Sequence, residues 1–293
     1  MADTVNYTLV DQSNGNLAFK ISSIVEGSQP FDHVQRLNYY SAILITQGKA
    51  TMKADFTEHN AVAGTMFFFS PYQPFMIAEE EKLKGVVIHF HPDFFCIIKH
   101  QKEVACNGVL FNNIYQPPYI TLSETEIARF CDLTEQMKQE IINASLAQYE
   151  LLVSYLKIFL INASRIKVEQ SQGELLQTDT KEPFVLQQLK DTLEENFKTK
   201  KSPSDYASML NISQKALAKI TKTHFNKTLT DIIAERVIIE AKRELYLTAK
   251  PVKQIAYELG FEDEYYFNRF FKKNADVPPN LYRETVGFNR AAS

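Results

Sequence analysis

An internal repeat in the C-terminal third most constrains what this 293-residue chain can fold into. Residues 207–222 recur at 256–272, with an offset of 49 positions that becomes 50 beyond 260–263, where a turn can absorb the difference. The matched pairs are Ala207 with Ala256, Leu210 with Leu259, Ile212 with Phe261, Ser213 with Asp263, Leu217 with Phe267, Lys219 with Arg269, Ile220 with Phe270 and Lys222 with Lys272. The pattern predicts two copies of one supersecondary unit.

Each copy predicts a helix, a short turn and a second helix. In the first copy Ser202 and Ser213 are good N-caps for the two helices. In the second copy Pro251 opens a helix, Gly260 ends it and Asp263 caps the next one. This arrangement is typical of a helix-turn-helix pair, whose second helix enters the major groove of DNA.

The second helix of each copy has an outward face that consists of basic and polar residues and one alanine. They are Lys215, Ala218, Lys219 and Lys222 in the first copy and Tyr265, Asn268, Arg269, Lys272 and Lys273 in the second. Arg and Lys can donate to guanine, Asn can read adenine, and lysines near the helix end can meet phosphates. Any two amphipathic helices joined by a short turn give this picture, and basic residues on a helix are usually solvated surface. A second alternative is that the helical repeats serve protein contacts.

A long helix is predicted between the copies, from about 231 to 247, with Thr230 as its N-cap. Its apolar stripe consists of Ala234, Val237, Ile238, Ala241 and Leu245. A rigid spacer of this kind would fix the separation of two recognition helices, which must lie roughly 34 Å apart to read successive turns of one groove.

The charge distribution supports a nucleic-acid partner for the C-terminal part only. The whole chain has a net charge of -3, but residues 1–180 carry -7 and residues 181–293 carry +4. Such an asymmetry between the two parts indicates an acidic domain followed by a modestly basic one.

The stretch 241–283 resembles the C-terminal signature of the AraC/XylS family of bacterial transcription regulators. The matching elements are Ile255-Ala256, Leu259-Gly260-Phe261, Tyr266-Phe267, Arg269, Phe271-Lys272-Lys273, Pro279 and Tyr282-Arg283. The resemblance covers about 190–286 and is weaker in the first copy. Asn226 and Asp276 stand where the family usually has Gly, and both residue types tolerate a left-handed backbone.

The resemblance implies specific roles and partners. It places Lys215, Ala218, Lys219, Tyr265, Asn268 and Arg269 against bases, with Lys222, Lys272 and Lys273 against phosphates. It implies double-stranded promoter DNA and RNA polymerase as partners, a small effector bound to an N-terminal barrel, and a homodimer.

The N-terminal part reads as strands from about 17 to 98, in which β-branched and aromatic residues alternate with turn signals. The run 39–46 ends at Gln47-Gly48-Lys49, a predicted hairpin turn. Composition favours an antiparallel barrel or sandwich, and the family resemblance implies a cupin-like barrel.

The expected fold class is α+β with two domains: a cupin-like antiparallel β-barrel with connector helices, then an all-α domain with two helix-turn-helix motifs. The expected boundaries are 1–120 for the barrel, 121–166 for connector or dimerisation helices, 167–182 for a linker and 183–293 for the DNA-binding domain.

Two connector helices are predicted from a capping box, Ser123 with Glu126, and from apolar stripes over 123–141 and 147–166. The stripes allow either a dimer interface or packing on the barrel. The family resemblance favours a dimer.

A candidate effector pocket consists of His33, Phe67, Phe69, Tyr72, Phe75 and His89. The alternative is that aromatic residues in a small barrel form its core.

A cupin-type metalloenzyme with a helical appendage is the rival hypothesis. His89 and His91 lie on one face of a strand and could bind a metal with His33 or His59. A cupin metal pair is expected earlier, with a Glu nearby, and no nucleophile–base motif or phosphate-binding glycine loop is present. We therefore expect no catalytic activity, no metal and no cofactor.

Other features favour a soluble, cytoplasmic protein. The N-terminal residues 1–4 are acidic and polar, unlike a secretory signal, and no apolar run reaches the roughly 18 residues of a membrane span. Cys96, Cys106 and Cys131 are too scattered for a disulfide framework. They are either oxidant sensors or inert buried thiols.

Overall fold

The computed structural model describes residues 6–11, 15–28, 30–54, 57–106, 108–177 and 184–286. The chain divides into two compact units. The first comprises residues 1–113 and 117–170, and the second comprises residues 114–116 and 171–293. An antiparallel sheet with helices dominates the first unit, and the second is helical, which confirms the α+β prediction.

The first unit contains a seven-stranded antiparallel sheet. Its strands are β1 (Asn6–Val10), β2 (Leu17–Ile24), β3 (Tyr40–Ala54), β4 (Thr57–Val62), β5 (Thr65–Phe69), β6 (Phe75–Phe90) and β7 (Tyr119–Thr121). The order in the sheet is β1-β2-β6-β3-β5-β7, and β4 pairs with β3. The short helix α1 (Gln101–Val104) lies in the connection between β6 and β7.

The predicted turn at Gln47-Gly48-Lys49 is a bulge inside β3 rather than a hairpin. The register with β6 shifts between Ile45 and Ala50. Gly48 has φ +87°, and a Cβ there would lie 2.2 Å from the Lys82 carbonyl oxygen, so the bulge requires glycine. Side chains five positions apart on a regular strand point to opposite faces of the sheet. The shift in register brings Ile45 and Ala50 to the same face, where both belong to one core cluster.

Both faces of the sheet are buried. One cluster holds Ile43, Phe67, Phe69 and Phe75 with their neighbours. The opposite face packs against two helices, α2 (Glu124–Ile142) and α3 (Gln148–Gln177). The residues of that second cluster include Leu44, Phe68, Ile88, Phe90, Phe130, Met137, Leu152, Leu156 and Phe159.

The connector helices therefore pack on the sheet, and the capping box at Ser123 and Glu126 is present. The linker predicted from 167 is wrong over 167–177, because α3 continues to Gln177. Lys167 explains the extension: it is buried, and its ammonium donates to the carbonyls of Pro117 and Tyr119 at 2.9 and 2.8 Å. Residues 178–182 of the expected linker lie outside the described residues.

Among the described residues of the second unit, seven helices follow the end of α3. They are α4 (Phe184–Asn196), α5 (Pro203–Met209), α6 (Gln214–Phe225), α7 (Leu229–Leu247), α8 (Val252–Glu258), α9 (Glu264–Ala275) and α10 (Pro279–Val286). Among the helices of the described ranges, none combines the length and the hydropathy that crossing a bilayer requires.

The predicted N-cap of the long spacer helix is wrong. Thr228, rather than Thr230, caps α7 and forms a capping box with Asp231. Each of these residues uses its side-chain oxygen to accept from the other's backbone N–H, at 3.2 Å. Thr230 has Ile233 at the corresponding third position, so it could not complete such a box.

Candidate nucleic-acid interface

The two predicted copies fold with the same turn. In the first, Asn211 takes φ 53° and the Ile212 N–H donates to the Ala207 carbonyl at 3.0 Å. In the second, Gly260 takes φ 74° and the Phe261 N–H donates to the Ala256 carbonyl at 3.0 Å. The repeat seen in the sequence is therefore a repeat of backbone geometry.

Both second helices begin and end with matching caps. Ser213 accepts from the Ala216 N–H, and Asp263 accepts from the Tyr266 N–H. At the other end, Asn226 and Asp276 adopt the left-handed backbone, with φ 53° and φ 63°. After glycine, Asn and Asp are the residue types that best tolerate this left-handed conformation.

The predicted DNA-facing side chains lie on the free faces of α6 and α9, and all except Asn268, which is half-buried, are exposed. Tyr265 is 81% exposed at the start of α9, an unusual exposure for so large an aromatic side chain. Between these positions, Leu217 and Phe267 point into the core. The base-facing and phosphate-facing roles remain predictions.

The two recognition helices differ in local charge. The first turn of α6 contains no acidic residue, whereas α9 starts beside Glu262, Asp263 and Glu264. Asp263 serves as the cap, and Glu264 lies in the first turn, where a carboxylate interacts favourably with the helix dipole. The positive charge of α9 lies from its middle to its end, at Arg269, Lys272 and Lys273.

An ionic cluster joins α4 to the spacer helix α7. Arg236 bonds Glu194 at 2.8 Å and lies 4.0 Å above the Phe197 ring. Glu240 is 6% exposed and is surrounded by Arg236, Arg243 and Lys198. Burial by itself would raise the pKa of Glu240, but the cations around it lower that pKa below its usual value.

Arg283 has a role that the sequence did not reveal. Its guanidinium donates to the Leu245 carbonyl at 3.1 Å and to the Lys250 carbonyl at 2.7 Å. It thus holds the end of α7 and the start of α8 from its place on α10. The available signal in the sequence was that Arg283 directly follows Tyr282 on the last predicted helix.

The predicted pocket aromatics of the first unit are packed against one another. Phe67, Phe69 and Phe75 are buried, and the rings of Phe69 and Phe75 stack with centroids 4.3 Å apart. Tyr72 is buried with φ 57°. Phe67, Phe69 and Phe75 thus form part of the packed core of the first unit.

The two predicted pocket histidines lie in different environments. His89 is buried, and its Nδ1 shares a 2.8 Å hydrogen bond with the Ser41 hydroxyl. Burial lowers the pKa of His89 to about 3, with a smaller contribution from Lys20, which faces it on β2. His33 is exposed and bonds the adjacent Asp32.

The metal site of the rival hypothesis is not assembled by the described residues. His59 lies on β4, where it bonds Thr57 at 2.8 Å and contacts the Tyr119 ring. Across the described ranges, no group of three or more His, Cys, Asp or Glu side chains is placed to hold a metal ion.

The cysteine thiols are unpaired, and burial governs their chemistry. Burial raises the pKa of Cys106 to about 12 and raises that of Cys131 above its usual value. A thiol with a raised pKa stays protonated and reacts slowly with oxidants. These two sites therefore favour the inert alternative.

Two cavities of the first unit lie away from the predicted effector residues. One, of about 10 Å³ beside Phe31 and Ile77, has room for a single water molecule. The other is a surface groove of about 540 Å³ along α2, with an acidic and polar lining. Its lining residues are Asp132, Glu135, Gln136, Gln139, Glu140, Asn143 and Tyr155.

Comparison with known proteins identifies the helical unit. A family model described as a helix-turn-helix domain matches residues 206–285, from α5 to α10. This chain carries an AraC-type helix-turn-helix domain. The AraC-type domain contains both copies of the repeat and the spacer helix α7.

Curated relatives of the chain are transcription regulators by name. It is 24% identical over 172 residues to the raffinose operon transcriptional regulatory protein RafR of Pediococcus pentosaceus, covering 59% of this chain and 57% of RafR. It is 33% identical over 70 residues to the regulatory protein SoxS of Escherichia coli strain K12, covering 24% of this chain and 65% of SoxS. The chain thus spans about half to two thirds of the length of these relatives.

Among solved structures, apo ToxT from Vibrio cholerae aligns with a TM-score of 0.43 at 16% identity, covering 93% of this chain and 99% of ToxT.

Proposed function

We propose that this chain is a sequence-specific DNA-binding transcription regulator whose two recognition helices, α6 and α9, read one stretch of promoter DNA. The observation that carries the proposal is the duplicated helix-turn-helix of the AraC-type domain. Both recognition helices follow the same turn, and both expose basic side chains. Because α7 is a 19-residue helix anchored at both ends, it can hold the two at a constant separation.

The proposed roles divide by chemistry. Lys215, Lys219 and Arg269 donate to acceptors on base edges, and Asn268 reads adenine. Ala218 offers only a methyl group, which suits contact with thymine. Tyr265 also faces the bases, from the first turn of α9. The lysines at the helix ends, Lys222, Lys272 and Lys273, meet phosphates and set the register without reading sequence.

DNA binding as a function of salt and sequence tests the proposal. A regulator of this kind should select a site from a random duplex pool and lose affinity as salt rises. The log–log slope should be about -0.9 for each phosphate neutralised. Absence of binding to every pool, or binding that is insensitive to salt, would contradict the proposal.

The proposal extends to control by a small effector bound in the first unit, near the predicted residues Phe67, Phe69, Tyr72, Phe75, His89 and His33. Such control requires the effector to bind one arrangement of the protein better than another. RafR is named for the raffinose operon, so raffinose is the first compound to test. A bound effector should raise the melting temperature as its concentration increases.

We further propose a homodimer that acts with RNA polymerase in the cytoplasm. Leu151 and Ile158, two turns apart on α3, expose 39% and 45% of their surface. Leu152 and Phe159, one position further on, are buried against the sheet. Because one face of α3 is already occupied, this second apolar face is the candidate for contact between copies.

The rival hypothesis of a cupin-type metalloenzyme predicts a different result from a simple measurement. Metal analysis of the purified full chain should find no stoichiometric iron or manganese if the regulator proposal holds. A helical module for protein contacts, the other rival, predicts no DNA binding in the salt experiment.

A further inference from the structure

Lys201 stands between α4 and α5 with its ammonium turned into the second unit. The side chain is half-buried, and Nζ donates to three backbone carbonyls. The distances are 2.6 Å to Leu259, 2.9 Å to Lys198 and 3.3 Å to Phe197. These bonds occupy all three N–H donors of the ammonium.

The carbonyls that Lys201 contacts belong to the ends of two helices. Phe197 and Lys198 directly follow α4, and Leu259 is the C-cap of α8. The last carbonyls of a helix lack partners within it and form the negative end of its dipole. A single ammonium therefore ties the end of α4 to the end of α8, although Lys201 and Leu259 are 58 positions apart.

The same ammonium also contacts an aromatic ring that packs against the second recognition helix, α9. Lys201 Nζ lies 4.9 Å from the centroid of the Phe261 ring. That ring contacts Phe267 and Phe270 of α9, with centroids 5.1 Å apart in each case. Lys201 is thus connected to α9 through a single intervening side chain, that of Phe261.

A backbone contact at Gly260 also links the end of α8 to the segment after α4. A Cβ built on Gly260 would lie 1.9 Å from the Lys198 carbonyl oxygen. The turn before α9 is therefore in direct contact with the segment after α4. No side chain separates the two.

Other cations hold the start of α8 and add a side-chain tie at its end. Arg283 bonds the carbonyls of Leu245 and Lys250, just before α8. The Lys250 ammonium bridges Glu244 on α7 and Glu258, the last residue of α8. Lys201 differs from these cations because it binds the backbone at the end of α8 that leads into α9, so its loss would change the angle of α9 most.

We propose that Lys201 is a positioning residue that sets the separation and angle of the two recognition helices and thereby selects the spacing of the DNA half-sites. The inference rests on the DNA-binding function proposed above. Burial lowers the pKa of Lys201 to about 8, so the charged form with three donors predominates at neutral pH.

The test measures spacing preference in the full-length protein. A duplex selected by the wild-type protein from a random pool is remade with one base pair added or removed between its two half-sites. Each change rotates one half-site by about 35° relative to the other. The variant is Lys201→Met, which keeps the apolar stem and removes charge and donors. The matched control is Lys200→Met, which removes the same charge from the exposed neighbour.

We expect the wild-type protein and Lys200→Met to lose about tenfold or more in affinity on the altered spacings. Lys201→Met should lose less than about threefold, because its second recognition helix is free to follow the displaced half-site. A general loss of stability would instead lower affinity equally on all spacings. Lys201→Gln keeps two donors without the charge and replaces Lys201→Met if that variant does not fold.

A Lys201 variant that is folded by circular dichroism and keeps the wild-type spacing profile would overturn the inference and leave the proposed function intact. If the wild-type protein selects no DNA, the proposed function fails and the inference fails with it.

Discussion

At the residue scale, the roles proposed for Arg269 and Lys272 rest on their different positions and chemistry. Arg269 lies in the middle of α9 on its exposed face, and Lys272 lies one turn later, near the helix end. A guanidinium can form two hydrogen bonds with one guanine, whereas an ammonium near a phosphate acts as a point charge.

Replacing these two residues should therefore have different effects. Arg269→Ala should cost about 1–3 kcal/mol on the preferred site and relax the preference at one base pair. Lys272→Ala should weaken binding alike on all sequences and reduce the salt slope by about 1. Affinities measured on a panel of single-base variants of the site distinguish the two. Identical profiles for both variants would contradict the assigned roles.

We expect His89 to make the stability of the first unit depend on pH. Its folded pKa of about 3 lies below the ordinary value of 6.5, so the unfolded chain binds the extra proton between these values. The stability due to neutral His89 is complete above pH 6.5 and is lost as pH falls towards 3. The free energy of unfolding should drop by about 2 kcal/mol from pH 7 to pH 5 through this group.

Denaturant unfolding of the wild-type protein and of His89→Gln at both pH values checks this expectation. The variant should lack that part of the pH dependence. The control is His33→Gln, since His33 is exposed, and it should behave like the wild type. Equal pH dependence in the wild type and His89→Gln would rule out His89 as the source.

At the scale of elements, most helix boundaries follow from short-range signals. Ser202, Ser213 and Asp263 cap the helices that their positions predict, and Gly260 ends α8. Each of these signals acts within about four residues, so tertiary packing does not need to supply it. The exception, Thr228 in place of Thr230, also obeys a local rule, that of the capping box.

Gly260 meets one local demand, its positive φ, and one tertiary demand, its close approach to Lys198, and a control variant can separate the two. Gly260→Ala must place a Cβ at φ 74° and 1.9 Å from a backbone oxygen. We expect it to destabilise the second unit by about 2–4 kcal/mol. The control is Gly27→Ala, at φ 78° with open space around it, which should cost the first unit only about 1–2 kcal/mol. Chemical denaturation of each variant measures both values. Equal losses would mean that the close approach at Gly260 is unimportant.

At the scale of the whole molecule, part of the apolar surface of α3 is left exposed. Leu151 and Ile158 are exposed there, while their neighbours Leu152 and Phe159 are buried. A double variant, Leu151→Glu with Ile158→Glu, should convert a dimer to a monomer because it places two carboxylates in an apolar contact. Sedimentation equilibrium measures the change.

Val62→Glu serves as the control for that experiment, because Val62 is 42% exposed on β4, away from α3. It should leave the oligomeric state unchanged. A double variant that keeps the wild-type mass would show that this face of α3 is not the interface.

The sequence by itself determined the repeat, the turns and the outward faces of α6 and α9. These depend on residues close together in the chain, and the copies at 207–222 and 256–272 support each other. Tertiary structure decided the features that depend on distant partners. In the β3 bulge Gly48 lies against Lys82, along α3 the Lys167 ammonium binds the carbonyl of Pro117, and before α9 Lys201 binds the carbonyl of Leu259. No local pattern encodes these contacts, because in each case the chain must fold before the two groups meet.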